Sequence, residues 1–122
     1  MNKTILIVDD EPHIIELEKA ILEMEGFKII SAENGTEALA KLKKTTPDLV
    51  ILDMMMPKMS GREVCEKIRS DPKTKNLRVV FVTVARFSEI GKDKLKDLNV
   101  SDYITKPFEN EEFVKRIKKA LE

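Results

Sequence analysis

Five short apolar runs, rich in β-branched residues, punctuate the chain: Ile5–Val8, Phe27–Ile30, Leu49–Leu52, Val79–Thr83 and Tyr103–Thr105. The first, third and fourth do not alternate with polar residues, which is the pattern of a strand buried on both faces. Between the runs, apolar residues recur at helical spacing. Ile14, Leu17, Ile21 and Met24 predict a first helix, opened by Pro12 in its first turn and closed by Gly26. Asn34 with Glu37, a variant capping box, opens a second helix striped by Ala38, Leu39 and Leu42 and stopped before Pro47. Ser60 and Glu63 repeat the capping spacing before Val64, Cys65 and Ile68, and Asp71-Pro72 ends that third helix. A fourth helix over 88–98 is weakly signalled, because Gly91 interrupts it and its apolar period is poor. Phe113, Val114, Ile117, Ala120 and Leu121 define a fifth. Its acids, Glu109, Glu111 and Glu112, precede its bases, Lys115, Arg116, Lys118 and Lys119, an order that complements the helix dipole.

Strand then helix, five times over, predicts an α/β, doubly wound parallel sheet with helices on both faces. Right-handed crossovers place every strand's carboxyl end on one edge. With 122 residues and no linker, repeat or low-complexity run, residues 1–122 read as a single domain. Lys plus Arg and Asp plus Glu are both 22, so bulk charge offers neither a nucleic-acid surface nor a membrane-binding patch. The basic cluster of the last helix reads as a solvated face. No apolar run approaches the roughly 20 residues that span a bilayer, and the start is not a signal peptide. A lone cysteine, Cys65, cannot form an internal disulfide and reads as a small core residue; together these make the cytoplasm the expected location.

The chemistry sits at the strand ends. Leu49–Leu52 stops at Asp53, and an acid at the end of a buried strand is costly unless something pairs with it. The expected topology brings Asp9 and Asp10 after strand one, Asp53 at strand three, Thr83 at strand four and Lys106 after strand five to one edge, where ligands of such sheets bind. Three carboxylates a few ångströms apart raise one another's pKa unless a cation neutralises them. An oxygen-only set with no His or Cys suits a hard ion such as Mg²⁺. Lys106 supplies a point charge and Thr83 a hydroxyl donor, so the site accepts charge on oxygen, as phosphoryl transfer requires. Met54, Met55, Met56 and Met59 read as packing and backbone positions, not as soft-metal ligands. His13 reads as a solvated first-turn residue.

These residues carry a resemblance. Ile5-Leu6-Ile7-Val8-Asp9-Asp10-Glu11, Asp53-Met54-Met55-Met56-Pro57 followed by Gly61, Thr83, and Asp102-Tyr103-Ile104-Thr105-Lys106-Pro107-Phe108 together resemble the receiver domain of two-component response regulators, the chemotaxis response-regulator family. The resemblance covers essentially the whole chain. It implies a flavodoxin-like (βα)5 domain with strand order 2-1-3-4-5. It implies that Asp53 is the phosphoacceptor, taking a phosphoryl group from the phosphohistidine of a sensor histidine kinase or phosphotransfer protein. Asp10, Asp53 and the backbone carbonyl of Met55 would hold Mg²⁺, with Asp9 acting through water. Lys106 and Thr83 would contact the phosphoryl group, Tyr103 would be the switch aromatic, and the Lys106–Pro107 bond would be cis.

The same resemblance implies a signalling switch, not an enzyme beyond its own phosphorylation and slow dephosphorylation. Phosphorylation would reshape the surface of the fourth helix, fifth strand and fifth helix, which is also the candidate dimer face. The output protein or domain that reads this surface is not named by the sequence, nor is direct nucleic-acid binding implied. The chain stops with its fifth helix, so it reads either as a stand-alone receiver or as part of a longer regulator. Two departures stand out. Val84 follows Thr83 where the family has a small residue, which predicts a crowded pocket and slow autodephosphorylation. Asn99-Val100 stands where many relatives have Gly-Ala, which bears on the loop into strand five. Two alternatives compete. A haloacid-dehalogenase-type phosphatase would want an acid two residues after Asp53, where Met55 stands. A phosphorylation-independent interaction module would not need the five polar site residues.

Overall fold

The computed structural model describes residues 2–84 and 98–122. Five strands and, among the described residues, four helices alternate: β1 (Thr4–Val8), α1 (Pro12–Glu23), β2 (Lys28–Ala32), α2 (Gly35–Lys44), β3 (Leu49–Asp53), α3 (Gly61–Ser70), β4 (Arg78–Thr83), β5 (Asp102–Thr105) and α4 (Asn110–Ala120). The weak helix read over 88–98 lies, but for Leu98, outside the described residues. The strands form one parallel sheet in the order β2-β1-β3-β4-β5, the doubly wound arrangement expected from the sequence.

Every residue of β3 is buried, and so are Ile5 to Val8 of β1 and Val79 to Thr83 of β4. Because side chains alternate across a strand, the sheet divides its apolar residues between two layers. Leu6, Val8, Val50, Leu52, Val79 and Phe81 face α2 and α3 with Ala38, Leu42, Val64, Cys65 and Ile68. Ile5, Ile7, Leu49, Ile51, Val80 and Val82 face α1 and α4 with Ile15, Leu22, Phe113 and Ile117. Burying each such branched or aromatic side chain contributes roughly 1.5–3 kcal/mol, so the central strands hold the fold together.

Local signals set several helix ends. Ser60 and Glu63 form a full capping box at α3. At α2 the Asn34 side chain accepts the Glu37 N–H at 2.8 Å, while the Glu37 carboxylate accepts from Glu33, one residue farther back than a capping box reaches. Gly26 takes the positive φ of 91° that turns the chain out of α1 into β2.

In α1 the expected face is not the buried one. The buried stripe is Ile15, Glu18 and Leu22, whereas Leu17 is 47% and Met24 87% exposed. Apolar residues occupy more than one side of this helix, so two overlapping stripes satisfy the helical period. Ile21 and Met24 instead line a groove against Val114 of α4.

In the described part of the loop into β5, the Ser101 N–H donates to the Val79 carbonyl at 2.8 Å, Leu98 and Val100 pack on the core, and one side chain makes four further bonds. The Arg69 guanidinium donates to the carbonyls of Leu98 (2.6 Å), Asn99 (3.2 Å), Lys75 (3.1 Å) and Leu77 (2.6 Å). Asn99 sits at φ 52°, a left-handed conformation that asparagine tolerates better than most residues. Asparagine thus fills the role its position asks of glycine. Arg69→Lys is expected to destabilise the domain by about 2–3 kcal/mol, since one ammonium cannot span four carbonyls. Urea denaturation measures this.

Candidate functional site

The connections leaving β1 and β3 diverge, α1 to one face of the sheet and α3 to the other. That divergence opens a crevice at the carboxyl ends of these two neighbouring strands. Asp9 follows β1 and Asp53 ends β3, each inside the protein at 2% and 4% exposure, with Asp10 nearer solvent. One oxygen from each of Asp9, Asp10 and Asp53 can be chosen so that all lie within 4.8 Å of one another. Lys106, just past β5, reaches into the same crevice. Its Nζ lies 2.8 Å from Asp9 Oδ2 and 3.7 Å from Asp53 Oδ2. The Lys106–Pro107 peptide is cis. Thr83 is buried at the end of β4, and its carbonyl accepts the Lys106 N–H at 2.8 Å.

Backbone donors orient the two inner carboxylates. Asp9 Oδ1 accepts the Glu11 N–H at 3.0 Å, and Asp53 Oδ1 accepts the Met55 N–H at 3.1 Å. Each bond leaves the second oxygen of its carboxylate turned to Lys106. Burial pushes the Asp53 carboxyl up from 3.8 to about 6; Lys106 pulls it down, Asp9 pushes it up, the Met55 N–H lowers it and Asp10 raises it slightly. Asp53 is therefore largely an anion at neutral pH, yet a poorly solvated one. The Lys106 ammonium is held charged: burial opposes it, but the hydrogen bond it donates to Asp9 and the Asp53 charge win and raise its pKa.

The donor set is three carboxylates and nothing softer. Oxygen ligands around a small cleft, with an excess of negative charge, fit a hard divalent cation such as Mg²⁺. Tyr103 of β5 lies in register with Phe81, two residues before Thr83 on β4, and its ring stacks on that of Phe81 with centroids 6.0 Å apart. Met54 and Met56 are buried core residues, whereas Met55 is 57% exposed, so its place in the site rests on its backbone. His13 is solvated beside Glu11, and Cys65 is buried in the core.

The sequence profile described as the response regulator receiver domain matches residues 5–118. The chain belongs to the response regulator receiver family. Among this family, the alkaline phosphatase synthesis transcriptional regulatory protein PhoP of Bacillus subtilis is 40% identical over 121 residues, covering 99% of this chain and 49% of PhoP. The chain spans about half the length of the curated transcriptional regulators it matches. Its fold superposes on the Vibrio cholerae chemotaxis protein CheY4 with a TM-score of 0.91 at 28% identity, covering 98% and 99% of the two chains. The response regulator TrrA of Thermotoga maritima, solved in complex with Mg²⁺-BeF, gives 0.84 at 41% identity, covering 97% and 98%. The phosphatase alternative is not favoured by these relationships, nor by the exposed Met55 where that class needs an acid.

A receiver-type strand edge thus gathers Asp9, Asp10, Asp53 and Lys106 directly, with Thr83 bonded to the Lys106 backbone. Sequence reasoning missed one buried ionisable group among the described residues, Glu18 of α1. The available signal was its position, three residues after Ile15 and four before Leu22, on what proves to be the buried stripe of α1. Among the described residues no helix is long and apolar enough to cross a membrane.

Proposed function

We propose that residues 1–122 act as one receiver domain whose Asp53 accepts a phosphoryl group from a phosphohistidine on a sensor kinase or phosphotransfer protein. The observation that carries this reading is the buried Asp53, with Asp9 and Asp10 close enough to share a cation and the Lys106 ammonium 3.7 Å from its Oδ2. A Mg²⁺ ion held by Asp10, Asp53 and the Met55 carbonyl, with Asp9 acting through water, supplies neutralisation of phosphoryl charge when bound.

Asp53 attacks phosphorus through the oxygen not held by Met55. The phosphorus–nitrogen bond of the donor breaks, and the imidazole leaves as it takes a proton from solvent. Lys106 moves from Asp9 toward the new phosphoryl oxygens, and the Thr83 hydroxyl donates to them. A dianionic group then stands where one carboxylate stood, and Tyr103 packs inward behind Thr83. The β5 and α4 surface changes with it. An output protein or domain reads that surface, which is also where two copies would pair. The transcriptional regulators it resembles are consistent with an output of that kind.

Incubation with acetyl phosphate and Mg²⁺, read by mass spectrometry, tests the proposal. A single phosphoryl adduct supports it. Turnover of many equivalents of phosphate ester, or no adduct, overturns it.

Val84 tunes the lifetime of that adduct. It follows Thr83, the buried last residue of β4, and is itself 66% exposed at the carboxyl edge of the sheet. Val84→Ala is expected to shorten the phosphoryl half-life a few-fold by admitting water, measured as adduct decay after removal of acetyl phosphate. Equal decay rates overturn the assignment.

A further inference from the structure

Four large apolar residues stand exposed among the described residues, and two of them, Leu17 and Met24, lie seven positions apart on α1. With the half-buried Ile14 and Ile21 they form a three-and-four repeat, the spacing of a helix that packs along another helix. The stripe adjoins a groove of about 470 Å³ between α1 and α4, whose apolar lining is Ile21, Met24 and Val114. A continuous apolar face of this kind on a small domain marks a contact surface. Its two borders carry opposite charge. At about 100° per residue, Glu16 and Glu23 lie beyond Leu17 and Met24, on the side of the stripe away from the groove, and both are exposed. Across the groove, α4 presents Lys115 and Lys118 beside Glu111. Lys118 pairs with Glu25 at 2.7 Å, whereas Glu16, Glu23 and Lys115 enter no ion pair among the described residues.

We propose that this face is where two copies of the chain pair in the unphosphorylated state. A face with an acidic border, an apolar middle and a mainly basic border is complementary to itself. A two-fold axis through the middle lays α1 of each copy along α4 of the other, so that Glu16 and Glu23 of one copy meet Lys115 and Lys118 of the second, twice over. A partner charged with one sign would instead meet like charge along one border. Leu17 and Met24 leave water in the pair, with Val114 closing over them. Helix α1 has only about three turns, so the contact falls at the small end of interfaces, below about 1,200 Å² in total, and the pairing is reversible, with a dissociation constant on the order of 100 µM. This face is separate from the β5 and α4 surface. On that other side of α4, Arg116 is turned to β5 and donates to the Tyr103 carbonyl at 2.9 Å.

Sedimentation equilibrium of the intact chain without a phosphoryl donor tests the pairing, and it does not depend on the phosphoacceptor reading. The average mass is expected to lie near that of one chain at about 10 µM and to climb toward twice that at about 1 mM. Leu17→Gln combined with Met24→Gln should stay monomeric throughout with an unchanged urea midpoint, since both side chains are exposed. Glu16→Lys with Glu23→Lys, and separately Lys115→Glu with Lys118→Glu, should each weaken pairing at least about tenfold, because like charges then face each other. Mixed in equal amounts, these two reversed chains should pair again, since each border of one then meets the opposite charge on the other. Concentration-dependent amide shifts should fall on Leu17, Met24 and Val114 and spare Tyr103 and Arg116. A chain that is monomeric at about 1 mM overturns the proposal, including one whose stripe takes up a helical peptide instead. A dimer that survives both charge reversals, that shifts β5, or that forms only once Asp53 is labelled overturns it as well.

Discussion

Asp53→Asn is expected to take no phosphoryl group from acetyl phosphate and, at the same time, to be more stable than the wild type. An amide oxygen is not a nucleophile of useful strength, so the mass-spectrometric adduct should vanish completely rather than decline. The stability gain follows from the burial of the charge. The Asp53 carboxyl is lifted from 3.8 to about 6 in the folded protein. A raised folded value means that the group's contribution is fully present below the unfolded value and is lost as pH climbs through the folded one. In metal-free wild type, stability should therefore drop between about pH 4 and 6 on this account and stay down above it. The amide has no such drop. It keeps an oxygen to accept the Met55 N–H, and Lys106 keeps its 2.8 Å pair with Asp9. At pH 7.5 the variant should gain on the order of 2–3 kcal/mol, since each pKa unit corresponds to about 1.4 kcal/mol. Urea denaturation at pH 4 and 7.5 reads the difference, which should shrink at the lower pH. A destabilised variant, or one still labelled, overturns the assignment.

Gly61→Ala is expected to cost about 2–4 kcal/mol and to impair labelling of Asp53 even though residue 61 bears no functional group. A Cβ at Gly61 would lie 2.2 Å from the Asp53 carbonyl oxygen, 2.8 Å from the Met54 Cα and 2.9 Å from the Asp53 carbonyl carbon. All three are backbone atoms, so no side chain can swing aside to make room. The same glycine donates its N–H to the Met54 carbonyl at 3.0 Å, closing the loop that starts at Asp53. Relief of the clash requires the Asp53–Met54 backbone to move, and with it the carboxylate that must line up with Asp9, Asp10 and Lys106. The expected signature is a lower urea midpoint together with a labelling rate that falls more than folded fraction alone explains. Wild-type stability in the variant would show that the loop opens without cost.

The sheet was legible because its evidence is local and redundant. Leu49 to Leu52 and Val79 to Val82 are unbroken apolar runs, and only a strand covered on both faces buries such runs completely. The site was legible for a related reason: its members sit at strand ends, so the topology alone delivers Asp9, Asp53, Thr83 and Lys106 to one edge. Helix α1 was less readable. Two stripes fit its period, and choosing the purely apolar one hid Glu18, whose burial is a tertiary decision that overrides the polarity of the residue. Arg69 was invisible for a different reason. Its partners are main-chain carbonyls at positions 75, 77, 98 and 99, and nothing in their side chains announces them.

The ion pair between Lys106 and Asp9 bears on how a divalent ion enters. The crevice is never electrically vacant, because a tethered monovalent cation already sits against the innermost carboxylate. Affinity for such an ion would then be an exchange constant: what is measured would be the preference of the aspartates for the incoming ion over a lysine that cannot diffuse away. Such a tethered competitor would keep the pocket in shape between visits and make occupancy readily reversible, as an erasable signal requires.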